Sequence, residues 1–123
     1  MLLNSFFFIE NIEYGNELVQ ARLRLEKEHS IFSGHFPNLP VVPGVCMMQM
    51  VKEIMESLEG KQLLIDEAPN LKFLSVLDPN ENGVVDSSVS IEERLGDNLL
   101  KINATISKDS VVFFKMKATL RTL

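Results

Sequence analysis

Val19, Ala21, Leu23 and Leu25 alternate with Gln20, Arg22, Arg24 and Glu26. This two-residue period predicts a strand with one buried face, because successive side chains on a strand point to opposite sides. The period recurs at Val85, Val89 and Ile91, which are separated by Asp86, Ser88 and Ser90. It returns at Leu100, Ile102, Ala104 and Ile106, and again at Val112, Phe114, Met116, Ala118 and Leu120. Phe6–Ile9 and Leu71–Leu77 are apolar runs that predict two more strands. Glu59 to Asn70 reads as a polar connection with a brief apolar interlude at Leu63-Leu64-Ile65. Turn residues punctuate the pattern: Gly15 within residues 11–16, Asp78-Pro79-Asn80, Asn82-Gly83, Gly96-Asp97-Asn98 and Lys108-Asp109.

One segment follows a different period. Gly44, Met48, Val51, Met55 and Leu58 are spaced by three and four, which places small and apolar residues along one stripe of a helix over about 43–59. Pro43 suits the first helical turn, where its missing N–H is not needed, and Gly60 is a natural stop. The predicted order is strand, strand, loop, helix, then four strands. Short connections make neighbouring strands antiparallel. An apolar helix and an antiparallel sheet are both covered if the sheet curls around the helix. The expected architecture is therefore a single α+β domain over 1–123, with five or six strands wrapped around one long central helix.

Residues 27–42 form the expected loop before that helix. Ile31 and Phe32 are expected to anchor it in the core, and His29, among Glu26, Lys27, Glu28 and Ser30, reads as a surface histidine. Pro37, Pro40 and Pro43 each fix their own φ and push the preceding residue towards extended geometry, so this loop is stiff and carries His35 on it. Histidine titrates near neutrality and suits proton removal beside a carbonyl. A helix N-terminus at Gly44 offers unpartnered backbone N–H groups to developing negative charge.

The stretch Gly34-His35-Phe36-Pro37-Asn38-Leu39-Pro40-Val41-Val42-Pro43-Gly44-Val45 resembles the signature of the β-hydroxyacyl-acyl carrier protein dehydratases, which have the hot-dog fold. The resemblance implies that His35 moves the proton at C2 of a 3-hydroxyacyl thioester as water is lost to give the trans-2-enoyl thioester. It implies that Gly44 donates its N–H to the thioester oxygen, that the Val42 carbonyl orients His35, and that Phe36 and Val45 border the substrate. It further implies an acyl carrier protein with a phosphopantetheine-linked acyl chain as partner. The assembly it implies is a homodimer, or a higher assembly of dimers, in which the histidine of one subunit meets the helix residue of the other.

One position departs from the pattern. Fourteen residues after the histidine the family carries Glu or Asp, which protonates the leaving hydroxyl; this chain has Gln49. An amide holds a hydroxyl or a water by hydrogen bonding but cannot act as a general acid. Glu53 follows one turn later on nearly the same face, ~6 Å further along the axis at 1.5 Å per residue. The expected reading of Glu53 is a solvated or capping glutamate, with a replacement acid as its rival. Two other functions stay open on account of Gln49: a hot-dog thioesterase, and a non-catalytic acyl-binding or partner subunit.

Composition narrows the field further. A net charge of −5 argues against a general nucleic-acid binder. The charge is polarised: residues 101–123 carry a net +4 through Lys101, Lys108, Lys115, Lys117 and Arg121, against −9 over residues 1–100. The basic end reads either as solvated strand edges or as a landing site for an acidic carrier protein. The single cysteine, Cys46, excludes an intrachain disulfide and falls in the buried helix as a core residue. No run reaches the ~20 apolar residues of a membrane span, and Phe6–Ile9 lacks the basic flank of a signal peptide, so a cytoplasmic protein is expected. Two histidines without Cys/His spacing point to no metal, and the lack of a Gly-rich phosphate loop points to no nucleotide cofactor.

Overall fold

The computed structural model of the protein describes residues 1–34 and 40–123. The alternating segments form one antiparallel sheet. Strands β1 (Phe7–Gly15) and β2 (Leu18–Leu25) pair as a hairpin closed by Asn16 and Glu17, both at positive φ (53° and 58°) as tight hairpin turns require. Strands β3 (Leu63–Phe73), β4 (Val84–Leu95), β5 (Leu99–Lys108) and β6 (Val111–Thr122) complete the order β1-β2-β4-β5-β6-β3.

Helix α1 (Ser30–Gly34) is short, and α2 (Gly44–Glu59) is the long one. On β2 the alternation is realised residue by residue: Val19, Ala21, Leu23 and Leu25 are buried and the residues between them are exposed. The same face of β4, β5 and β6 buries Val85, Val89, Ile102, Ile106, Phe114, Met116 and Leu120, and α2 adds Met50, Val51, Ile54 and Met55 to one shared core. Each such fully buried side chain contributes roughly 1.5–3 kcal/mol relative to exposure. This six-stranded sheet with its central helix is the expected hot-dog architecture.

Three local expectations give way to the structure. The region read as a turn over residues 11–16 is strand as far as Gly15, because a register shift between Ile9 and Asn11 keeps β1 paired with β2. Leu63–Phe73 is one edge strand rather than a polar connection followed by a strand over 71–77. Register shifts between Ile65 and Glu67 and between Glu67 and Asn70 break its alternation, and Pro69 is tolerated there because an edge strand need not donate on both sides. Within the predicted loop, residues 30–34 make the single turn α1.

His29 is partly exposed, as expected, and is also held in place. Its Nδ1 accepts the Ile31 N–H at 3.1 Å, and its ring meets Phe6 edge-on at 5.3 Å. Phe6 in turn stacks on Phe32 at 5.0 Å. Phe32 is buried and Ile31 packs against the core, so the anchoring role expected of them is met.

Candidate active site

Pro43, in extended geometry (φ −61°, ψ 146°), opens α2, and its carbonyl accepts from the N–H groups of Cys46 (3.0 Å) and Met47 (3.2 Å). Among the described residues no side chain caps this end. Among the described residues, the Gly44 and Val45 N–H groups find no acceptor. A bare helix start of this kind favours negative charge. At the other end Gly60 closes the helix in left-handed geometry (φ 68°), its N–H bonded to the Glu56 carbonyl.

The approach to α2 is pinned. The Val42 N–H donates to the Leu77 carbonyl at 2.8 Å and the Val42 side chain is buried. The segment that holds Val42 is itself tied to β6, through Leu74 N–H to the Phe113 carbonyl at 2.9 Å. Val41, Val42, Gly44, Met47, Phe73 and Val76 line an open, largely apolar pocket of about 250 Å³ beside the uncapped helix start. The Phe73 ring lies directly over Gly44, in the space that any β-carbon there would need. Around this pocket Val45, Phe73 and Val76 are more than half exposed, a concentration of apolar surface at one end of α2.

One turn along the helix, Gln49 is half-buried and its Nε2 donates to Glu53 Oε2 at 2.7 Å. Glu53 is completely buried. Its carboxylate also accepts the Leu2 N–H at 3.0 Å on each oxygen and the Leu3 N–H at 2.7 Å on Oε1. The expectation of a solvated glutamate is therefore corrected. Burial of a carboxylate is tolerated because every donor around it is satisfied. The replacement-acid reading also loses support, since both oxygens are occupied by backbone and amide donors. Glu56, on the following turn, accepts the Leu63 N–H at 2.8 Å, so two helix carboxylates fasten the N-terminal segment and β3 to α2.

Cys46 is buried, and burial pushes its thiol above the ordinary cysteine range, which fits a packing residue rather than a nucleophile. Met47 and Met50 are core residues. On the outer face of the sheet, Lys101 pairs with Glu93 and Arg121 with Asp66. Lys115 stands opposite Lys72, and Lys117 lies between Asn70 and Asn103. Among the described residues no cluster of His, Cys, Asp and Glu could hold a metal ion, and no helix is long and apolar enough to cross a membrane.

His35 and Phe36 lie outside the described residues. Of the other residues singled out from sequence, Val42 and Gly44 line the pocket, Val45 is the next residue of the helix and is exposed, and Gln49 stands beside Glu53 rather than among the pocket-lining side chains. Sequence reasoning missed Phe73, which sits at the end of an edge strand whose period is broken. It also missed the docking of Leu2 and Leu3 on Glu53. The apolar pair Leu2-Leu3 at the start of the chain was the available signal.

Comparison with known proteins gives one family match: the ApeI-like family, described as ApeI dehydratase, over residues 11–114. The 3-hydroxyacyl-[acyl-carrier-protein] dehydratase FabZ of Petrotoga mobilis is 29% identical over 113 residues, covering 91% of this chain and 73% of that protein. The FabZ of Rickettsia bellii is 26% identical over 96 residues; the match covers 72% of this chain and spans 64% of that relative's length. The dehydratase heterocomplex ApeI:P from Xenorhabdus doucetiae has the same fold, with a TM-score of 0.71 at 21% identity over 93% of this chain and 96% of that one. A putative thioesterase from Ralstonia eutropha shares it too, at a TM-score of 0.64 and 18% identity over 90% and 83% of the two chains.

Proposed function

The chain belongs to the ApeI-like dehydratase family, and on that premise we propose that it removes water from 3-hydroxyacyl groups carried as thioesters. The observation that carries this reading is the uncapped start of α2, where the Gly44 and Val45 N–H groups lie beside an apolar pocket. An acyl chain in that pocket brings its thioester carbonyl to the helix end. Proton removal at C2 turns the carbonyl oxygen enolate-like, and preorganised backbone donors stabilise that charge. His35 takes the C2 proton. Phe36, Val42 and Val45 border the acyl chain.

Gln49 does not line this pocket within one chain; in the proposed dimer it reaches the 3-hydroxyl from the other subunit and holds it without protonating it. The proton balance then falls on His35, which accepts the C2 proton and returns it to the hydroxyl as the C3–O bond breaks. The products are water and the trans-2-enoyl thioester, and His35 ends neutral. A group that serves in both directions loses the advantage of a dedicated acid, typically ~10²–10⁴ in rate.

The FabZ relatives are named for substrates on acyl carrier protein. Carriage on the same kind of protein is proposed here, with Lys72, Lys115 and Lys117 as cations available to an acidic surface. Assembly as a dimer is supported by the exposed Val45, Phe73 and Val76 at the pocket and by the open edge of β3.

One observation favours a second reading, thioester hydrolysis: an amide at position 49 can hold a water as well as a hydroxyl. The two separate in one experiment. The protein is given a 3-hydroxyacyl thioester while enoyl absorbance and free thiol are followed together. Enoyl formation without thiol release supports dehydration. Thiol release without enoyl replaces it with hydrolysis. Binding without either product leaves a partner subunit.

A further inference from the structure

Glu53 is the one fully buried charged side chain among the described residues, and the reaction above does not use it. All its described partners are donors: the N–H groups of Leu2 and Leu3 and the Gln49 amide. An acceptor placed against this buried carboxylate would meet lone-pair repulsion where a donor now sits. The Gln49 side chain has one donor end and one acceptor end. Only its Nε2 can face Glu53. Turning the amide over would bring Oε1 to within about the same 2.7 Å of Glu53 Oε2 and exchange a charge-assisted hydrogen bond for a clash of lone pairs.

We propose that Glu53 is a positioning residue that fixes the Gln49 amide with Nε2 committed to the carboxylate and Oε1 left for a ligand, so that this position selects a hydroxyl-bearing acyl group over its keto counterpart. The proposal rests on the reading of the protein as an acyl-thioester dehydratase. A 3-hydroxyl can donate to Oε1; a 3-oxo group cannot and meets a second acceptor. The carboxylate also polarises the amide, which strengthens Oε1 as an acceptor. Where a glutamate at 49 would supply a proton, the Gln49–Glu53 pair supplies a fixed acceptor. Its anchor is shared with the N-terminal segment through Leu2 and Leu3, so that segment and the amide are held by one carboxylate.

Glu53→Gln gives the sharpest contrast. A glutamine there retains an oxygen for the Leu2 and Leu3 N–H groups. Its own NH₂ can donate to Gln49 Oε1, which reverses the Gln49 amide. Two readouts are needed. The first is the side-chain amide NMR signal of Gln49, assigned by its loss in Gln49→Ala. In the wild type one Nε2 proton is expected downfield and protected from exchange, and in Glu53→Gln it moves. The wild-type spectrum tests the bond even if the variant folds poorly. The second is the affinity ratio of non-hydrolysable 3-hydroxybutyryl and 3-oxobutyryl pantetheine thioethers. The wild type is expected to favour the hydroxy ligand by about tenfold, the worth of one hydrogen bond of ordinary strength, and the variant to lose most of that ratio. An unprotected Gln49 amide in the wild type, or an amide signal unchanged in Glu53→Gln, overturns the positioning role whatever the ligands do. A moved signal with an unchanged ratio overturns the selectivity. A moved signal with neither ligand bound by the wild type overturns the dehydratase reading itself, and with it the hydroxyl as ligand.

Discussion

The edge of the Phe73 ring lies where a side chain at Gly44 would begin: a β-carbon built there would sit 2.7 Å from Phe73 Cζ. Gly44 is thus required by a neighbour from the sheet edge, at the first residue of α2. Phe73 is half exposed, so its ring can swing away, and Gly44→Ala is expected to change stability by no more than ~1 kcal/mol. Turnover is expected to fall by much more, since the displaced ring alters the pocket. Combining Gly44→Ala with Phe73→Ala removes the clash. Urea denaturation of both single variants and the double should give a favourable coupling between them. Additive effects would mean that the ring does not rest on Gly44 in solution.

The Glu53 carboxylate serves the Leu2, Leu3 and Gln49 donors at once. Glu53→Ala leaves those donors without a partner and opens a cavity, at an expected cost of ~2–4 kcal/mol. Glu53→Gln keeps an acceptor and should cost less than half as much. Equal losses in the two variants, measured by urea titration, would show that shape rather than hydrogen bonding holds the N-terminal segment.

These two relationships mark where the sequence was legible and where it was not. Gly44, Pro43 and Gly60 announced the helix and its ends, because backbone geometry is restricted locally and small residues advertise it. The alternation on β2, β4, β5 and β6 announced the sheet, because one face of each is buried along its length. β3 was split in two because its register shifts destroy the period that identifies a strand. Glu53 was misread because a charged residue on a helix is solvated unless something covers it, and its cover comes from Leu2 and Leu3, some fifty residues away. His29 stays partly exposed as expected, and its contact with Phe6 on a different segment was not legible in the local sequence. The family signature pointed to the pocket through Val42 and Gly44, whereas Phe73 reached it only through tertiary packing.

Burial raises the Cys46 thiol above its ordinary range. Native protein should therefore react with iodoacetamide at pH 8 more slowly than protein in urea, because the thiolate is the reacting form and the residue is buried. The linkage has a definite sign. The native state holds this proton more tightly than the unfolded state, so the contribution is complete below the unfolded value of about 8.5 and is lost as pH rises above it. Labelling as fast in the native as in the unfolded state would place Cys46 at the surface.

Exchanging Gln49 and Glu53 tests the division of labour between them. Gln49→Glu with Glu53→Gln keeps a carboxylate–amide pair one helical turn apart and is expected to fold. It should raise dehydration by ~10-fold or more by supplying the general acid that the wild type lacks. The wild-type pH profile of kcat/KM is expected to show a single limb, from His35 alone; the exchanged protein should show two. Two limbs in the wild type would reveal a second titrating group and contradict the single-residue proton balance.

The most direct measurement is hydration of a crotonyl thioester, followed by loss of enoyl absorbance, in the wild type and in His35→Ala. The account predicts turnover by the wild type and loss of at least ~10² in His35→Ala, with the fold unchanged by circular dichroism. Equal turnover by both proteins, or silence of a folded wild type while Gln49→Glu is active, would contradict a site in which His35 carries the proton both ways.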